Sequence, residues 1–391
     1  MRVSLLLKNI FQAQSFQAFL ADMEALDVTP VKKGGRAYAL IAARSNLRWW
    51  LLPLESGRVA AAGLEMMQPV NRMAKITKIV LQLSLLFGIN PYIAKLRFSD
   101  IPDLSETFGP KAIHVAYFTG TDGPHRKTTM QIMNADGKIL GYGKLSRMKY
   151  IRPYICHEAD TLAHVAAMGL RSAIVPSVLA CRKQSNLTLL LTDSRKSLVQ
   201  KTTNHIGVVH LNFLNELRKQ TKSVGAKLLL EDLSCRVVAI SELAGSVWID
   251  RITQALGALE DDAEEIEICL VHGDFTPWNS FIHSNKLYVF DWEYANIDWP
   301  VGYDLAHYIL STTSIKRQPH ILPNVLVSLG KNYFEGNEIL AHRALLLSLV
   351  CHAVFYLSRL ADVKGELTDW IEAPVRAVLI DRLLDKENFN S

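Results

Sequence analysis

His272-Gly273-Asp274-Phe275-Thr276-Pro277-Trp278-Asn279, then the apolar strand Leu287–Phe290, then Asp291-Trp292-Glu293: the reading of this chain turns on that stretch. An acid, an amide five residues later and a second acid beyond a hairpin are the parts that phosphoryl transfer needs. One carboxylate can receive a hydroxyl proton, and two oxygen ligands can hold Mg²⁺ against a triphosphate. His272 follows the strand-like Ile268–Val271, so the acid and the amide lie on the loop leaving that strand. Asp291 ends the next strand pair, within reach of the same metal.

At these residues the chain resembles the aminoglycoside phosphotransferase and choline kinase group, small-molecule kinases built on the protein-kinase fold. The group's hallmark is His-Gly-Asp, four variable residues, Asn, and an Asp closing the following hairpin. It is matched at His272, Gly273, Asp274, Asn279 and Asp291. The resemblance implies Asp274 as catalytic base and Asn279 and Asp291 as Mg²⁺ ligands. It also implies that His272 and Asp304, the latter in Gly302-Tyr303-Asp304-Leu305-Ala306, support the catalytic loop. The fold it implies is α+β and bilobal, protein-kinase-like, with a small antiparallel-sheet lobe and a mainly helical lobe.

Such a fold requires an amino-terminal lobe ahead of this run. Ile113–Thr119, Lys127–Met133 and Lys138–Leu145 read as strands, the last two joined by Asn134-Ala135-Asp136-Gly137, whose Asp-Gly is a hairpin signal. Lys144 sits on the third strand, and an unpaired ammonium on an inner strand is costly to bury. In a kinase such a lysine holds the α- and β-phosphates and is paired by a glutamate from the next helix. Glu158 fits that partner, in a segment where Ile155, Ala159, Leu162, Val165 and Ala166 follow helical spacing. Asp160 competes for the place from a different face, and an edge-strand lysine with a solvated glutamate is the plain alternative. The loop Gly120–His125 lacks the three-glycine spacing of protein kinases. Asn186–Leu191 reads as a buried strand leading into a hinge at Thr192-Asp193-Ser194, and Ile206–Leu217 as the first helix of the second lobe, with His210 structural.

The kinase-like region then divides at 109–193 and 194–391, leaving 1–108 as an additional amino-terminal α/β domain, set off by the turn formers Pro102, Asp103, Ser105, Gly109 and Pro110. Within it Phe11–Leu26 reads as helix, and Tyr38–Ala42 and Leu47–Leu54 as strands. Arg72–Leu96 alternates basic and apolar residues. Gln82, Gly88, Asn90 and Pro91 interrupt it too often for a bilayer span. A basic amphipathic helix on a membrane surface is one reading, and packing against its own domain the favoured one. Ile339–Ala361 and Leu367–Leu384 read as helices of the second lobe, the first very apolar but broken by His342, Arg343, His352 and Arg359.

The 391 residues exceed what one core usually serves, and 49% are apolar, which excludes disorder. A net charge of +5 without an arginine-rich arm does not favour nucleic acid. Cys156, Cys181, Cys235, Cys269 and Cys351 show no Cys-x-x-Cys spacing, which suits reduced thiols, and no secretory signal is seen, so a cytoplasmic location is expected. The acidic run 260–265 reads as a solvated connector.

The expected activity is transfer of the γ-phosphate of ATP, with GTP as the other nucleotide, to a hydroxyl of a small molecule such as a sugar. A choline or amino-alcohol kinase and a pseudokinase-like binding module are the rivals. Trp278, Trp292, Tyr294, Trp299 and Tyr303 crowd together after the base. They suit either a cation–π cage or flat walls for a sugar ring. Trp292, Glu293 and Asp298 are the expected substrate-side residues.

Overall fold

The computed structural model describes residues 13–42, 48–69, 72–89, 94–109, 113–120, 123, 125–196, 205–220, 224–261 and 263–385. The central run forms strands, with inward and outward side chains alternating as expected. In Ile139–Ser146 (β6), Ile139, Gly141, Gly143 and Leu145 are buried while Leu140, Tyr142 and Lys144 are half-buried. The strands ahead of it are Arg36–Ala42 (β1), Trp49–Pro53 (β2), Ala94–Phe98 (β3), Ile113–Phe118 (β4) and Thr128–Asn134 (β5). Ala173–Ile174 (β7), Val178–Lys183 (β8) and Thr188–Asp193 (β9) follow. Asn134 builds the β5–β6 turn, its side-chain oxygen accepting the N–H groups of Asp136 at 3.1 Å and Lys138 at 2.9 Å.

Two compact units result, one of Met1–Ala166 with Val175–Gln200 and one of Ala167–Ile174 with Lys201–Ser391. In the first unit eight strands form one sheet in the order β3-β1-β2-β4-β5-β6-β9-β8. This corrects the boundary expected at residue 108. The leading strands are not a separate domain, because β2 pairs antiparallel with β4 through Trp50↔Phe118 and Leu51↔Tyr117. One face carries a core in which Phe16, Phe19 and Met23 of helix Gln14–Glu24 (α1) meet Tyr38, Leu51, Val115 and Tyr117. Phe11, the expected start of α1, lies outside the described residues. The other face is covered by Gly57–Gly63 (α2), whose Val59, Ala60 and Ala62 pack with Leu52, Ala116 and Met133.

Helix Arg72–Leu86 (α3) follows, shorter than the stretch read from sequence: Ala94–Leu96 belong to β3. Gly88 stops it. Its φ of 71° suits glycine, and the N–H groups of Gly88 and Ile89 return to the carbonyls of Leu85 and Ser84. A single turn, Ser105–Phe108 (α4), precedes β4, and Arg152–Ala167 (α5) follows β6.

The second unit is mainly helical. It contains Val208–Gln220 (α6), Lys227–Ala239 (α7), Ser241–Leu259 (α8, kinked at Gly245), Tyr303–Ser311 (α9), Gln318–Tyr333 (α10), Glu338–Asp362 (α11) and Ala373–Leu384 (α12). Two small sheets carry the loops that matter. Glu267–Val271 (β11) lies between Val224–Gly225 (β10) and Asn296–Pro300 (β14), while Lys286–Val289 (β13) lies between Ser280–His283 (β12) and β7. Helix α11 is long and apolar enough to cross a bilayer, yet 78% of its apolar window is buried. Leu367–Asp369 forms only a single turn before α12. Of the acidic run, Ala263–Glu265 is a short turn from which Glu265 pairs with Arg343 at 3.1 Å; Asp262 lies outside the described residues. The expected α+β class is thus met by a sheet-dominated unit and a helical one.

Within the first unit the leading helix is tied to the sheet by a buried ion pair. Arg126 donates to Asp22 Oδ2 at 2.9 and 3.0 Å and to the Ser15 carbonyl at 3.0 Å, and Thr128 donates to the same Asp22 oxygen at 2.8 Å. Burial pushes the Asp22 carboxyl up, against the pull of Arg126 and Thr128. Removing one member strands the other charge, at a cost of about 3–5 kcal/mol. Denaturant unfolding of Asp22→Ala is expected to show a loss in that range. The double variant with Arg126→Met should recover much of it, and equal losses in both would contradict the coupling.

Candidate active site

In the first unit, the hairpin partner β5 and strand β9 flank β6 on both sides, so Lys144 is held on an inner strand. Its ammonium Nζ lies 2.6 Å from Glu158 Oε1 and 2.5 Å from Oε2. Helix α5 turns Glu158 inward beside Ile155, Ala159 and Leu162, leaving it 3% exposed, whereas Asp160 faces solvent. The structure therefore brings Lys144 to Glu158 and not to Asp160.

In the second unit, the loop between β11 and β12 carries Asp274. Gly273 adopts φ of 81°, and a Cβ there would sit 2.0 Å from the Tyr294 carbonyl oxygen, so a side chain is barred twice over. Asp304, in the first turn of α9, is buried and spends both oxygens on this loop. Oδ2 accepts the His272 N–H at 2.7 Å and Oδ1 the Gly273 N–H at 3.1 Å. Burial pushes the Asp304 carboxyl up, opposed by nearby His272 and by the two N–H donors.

His272 works on the other side of the loop. Its Nδ1 accepts the Asp274 N–H at 3.2 Å, so the proton belongs on Nε2, which lies 3.0 Å from the Phe290 carbonyl. The imidazole thereby couples the loop to the end of the β12–β13 hairpin. Its ring packs 4.6 Å from Trp292.

Asp274 itself is held at both oxygens. Asn279 Nδ2 donates to Oδ2 at 2.8 Å and to the Asp274 carbonyl at 3.0 Å. His307 Nε2 lies 3.0 Å from Oδ1, and since a carboxylate only accepts, that nitrogen carries the proton. His307 went unnoticed in the sequence, although it sits three residues past Asp304, on the same face of α9. With its amide nitrogen spent on Asp274, the side-chain atom that Asn279 can offer a ligand is its carbonyl oxygen. The hairpin register sets Ser280 against Val289, and the Phe290 N–H bonds the Asn279 carbonyl at 3.1 Å, so Asn279 and Asp291 flank the same hairpin end.

Asp291 stands at φ of 72°, a conformation that costs a non-glycine residue on the order of 1–3 kcal/mol and is met most often where function demands it. Carboxylate oxygens of Asp291 and Glu293 come within 4.8 Å of one another. Such a set of amide and carboxylate oxygens suits a hard divalent cation like Mg²⁺.

The expected substrate side is partly overturned. Trp292 is fully buried, its Nε1–H donating to the Val289 carbonyl at 3.2 Å and its ring edge-on to Phe213, so it cannot wall a substrate. Trp299 and Tyr303 are buried as well, their rings packed at a tilt with centroids 4.5 Å apart. Trp278 and Tyr294 are half-buried, with the Arg359 guanidinium 4.4 Å over the Tyr294 ring. Asp298 is exposed on β14, its N–H taken by Asn296 Oδ1, and among the described residues nothing ties its side chain to the loop. His210 is a packing residue: buried among Phe275 and Tyr308, it accepts the Gly207 N–H at 3.1 Å.

The sequence profile of the phosphotransferase enzyme family matches residues 220–339, the segment that holds the Asp274 loop and its hairpin. The chain is similar to a protein assigned as a fructosamine-3-kinase from Haemophilus somnus 129PT, at 16% identity over 72% of this chain and 95% of that one, with a TM-score of 0.45. It is also similar to aminoglycoside 2'-phosphotransferase-IIIa in a GDP complex, at 13% identity over 74% and 97% of the two chains, with a TM-score of 0.46. A thermostable mutant of aminoglycoside phosphotransferase APH(4)-Ia, in ternary complex with ADP and hygromycin B, gives 13% identity over 72% and 96%, with a TM-score of 0.45. No curated protein matches the sequence.

Behind the loop that carries Asp274 lies a buried histidine with a testable consequence. His352 Nδ1 is 3.0 Å from the Tyr303 hydroxyl, and Nε2 is 3.7 Å from Glu372, which Arg376 also holds at 2.7 Å. Burial pushes His352 down to about 3, helped by the nearby Arg376 charge. A depressed histidine keeps its contribution above its unfolded value near 6.5 and loses it as pH falls toward the folded value. Stability is therefore expected to drop between pH 6.5 and 4.5, with His352 adding up to about 1.4 kcal/mol per pH unit. His352→Asn, which keeps an acceptor for Tyr303, should flatten that slope in pH-dependent urea unfolding; an unchanged slope would contradict the assignment.

Proposed function

We propose that this chain is a kinase of small molecules, moving the γ-phosphate of ATP, or of GTP, onto an acceptor hydroxyl. The observation that carries this reading is the Asp274 carboxylate, fixed at one oxygen by Asn279 and at the other by His307 on a loop that Asp304 clamps. A base so held is oriented before the acceptor arrives, which is where positioning contributes to rate. Asp274 takes the proton from the acceptor hydroxyl as its oxygen attacks in line, and His307 is a positioning residue for that carboxylate.

Lys144 holds the α- and β-phosphates, and Glu158 keeps its ammonium oriented for them. Asn279 and Asp291 are the residues that would hold Mg²⁺, with Glu293 close to Asp291 as a further oxygen donor. Such a cation, when bound, neutralises charge on the β- and γ-phosphates. Lys144 would also stabilise the negative charge that builds on the leaving diphosphate.

For the acceptor we favour a hydroxylated, sugar-like molecule over a quaternary amine. Burial of Trp292, Trp299 and Tyr303 in the core takes away three of the five aromatic walls that a cation–π cage would use. The site works in the cytoplasm, where nucleotide and reduced thiols coexist.

Asp274→Asn is expected to lower turnover by about 10²–10⁴-fold while nucleotide affinity stays near that of the wild type, because the base acts on the acceptor. Turnover at the wild-type rate, followed by coupled ADP release across a panel of sugars and aminoglycosides, would remove Asp274 from this role.

Asp291→Ala is expected to weaken binding of the Mg²⁺-nucleotide, and Asn279→Ala to do so more mildly, since a neutral amide is the poorer ligand. Calorimetry with and without Mg²⁺ separates the two variants; an affinity unmoved by Asp291→Ala refutes the ligand assignment.

A further inference from the structure

Helix α3 has two apolar faces, and only one is used. Leu85 is buried against the core under α2, and Leu81 packs beside it. On the same side Lys78 Nζ reaches Glu65 at 2.8 Å and Gln82 reaches it at 2.6 Å. These contacts fix the helix to the first unit and settle which way the rest of it points.

What points outward is apolar. Met73, Ile76, Ile79, Val80, Leu83 and Phe87 recur at three- and four-residue spacing, which gathers them on one side of the helix. They are open to solvent, from 46% for Ile76 to 78% for Phe87. Among the described residues, eight of the nineteen large hydrophobics that are exposed lie between Met73 and Ile89. Scattered exposed leucines need no account, but a contiguous stripe marks an interaction surface.

Charge selects the occupant. Helix α3 carries three basic residues and no acidic one; Lys78 is turned inward to Glu65, which leaves Arg72 and Lys75 for the outer side. Arg72 and Lys75 are exposed at the start of the helix, beside the apolar stripe. A rigid helix with an apolar outer face and cations at its flank complements an anionic lipid surface. The side chains enter the boundary between headgroups and acyl chains while the ammonium and guanidinium groups stay among phosphates.

We infer that α3 is a docking surface by which the protein sits on an anionic phospholipid membrane. The inference is independent of the phosphoryl-transfer reading, since every residue it uses lies outside the loop and hairpin described above.

Flotation of the full chain with vesicles of phosphatidylglycerol and phosphatidylcholine tests it, beside vesicles of phosphatidylcholine alone. The wild type should float with the anionic vesicles, with an apparent affinity about tenfold or more above that for the neutral ones, and 0.5 M salt should narrow the gap. Ile76→Asp/Leu83→Asp should abolish flotation with an unchanged melting midpoint, because both positions are solvent-facing. Arg72→Glu/Lys75→Glu should lower anionic binding about tenfold while sparing the apolar stripe. A wild type that stays with the soluble fraction, or aspartate variants that float as well as it does, would overturn the inference. So would light scattering showing a dimer that the aspartate variants split, with no vesicle binding: the stripe would then face a second copy.

Discussion

A carboxylate shut away from water must be given donors, and Asp304 takes its donors from the loop it supports. Two backbone N–H groups, those of His272 and Gly273, have no strand partner at the point where β11 ends. Burying them unpaired would cost about 1–3 kcal/mol each. Asp304 answers both at once, from the first turn of a helix whose N-terminal dipole favours a negative charge there. Everything downstream inherits this arrangement. His272 can bridge Asp274 and Phe290 only because its backbone is fixed, and Asn279 and His307 can grip the Asp274 carboxylate only because the loop presents it.

How much of this was legible in the sequence depends on how local each constraint is. The catalytic run could be read directly, since its acid, amide and second acid are separated by one loop and one hairpin. Lys144 and Glu158 could be paired because a lysine between two strands requires a counter-charge, and helical spacing put Glu158 rather than Asp160 on the inward face. Trp292 was misread because proximity in the chain to a reactive loop says nothing about which way a large ring turns. Packing against His272 and Phe213 decides that, and Phe213 lies far off in sequence. The boundary at residue 108 failed for a similar reason. A segment rich in turn formers marks a bend, and only the pairing of β2 with β4 tells whether the chain returns to the same sheet.

Helix α3 marks a subtler limit. Its sequence shows apolar residues at helical intervals, and the usual conclusion is a helix packed on its own domain. That conclusion is half right. Periodicity cannot say which of two apolar stripes faces inward, because both share the period; the Lys78 and Gln82 contacts with Glu65 make the choice.

Because the leading strands extend the sheet, they also move its open side. With β2 paired to it, β4 is an interior strand, and the exposed edges are β3 and β8. Both end strands are armed against pairing with another chain: β3 carries Lys95 and Arg97, and β8 carries Arg182 and Lys183. The outer side of β3 is further covered by the segment around Pro30, where Val31 donates to Arg97 and Ser99 to Thr29. A proline at that place cannot offer an N–H to a neighbour. The amino-terminal residues thus do duty as a selvedge. Without them the β4 edge, Ile-His-Val-Ala-Tyr-Phe, would lie bare, with no lysine or arginine to keep other sheets from growing onto it.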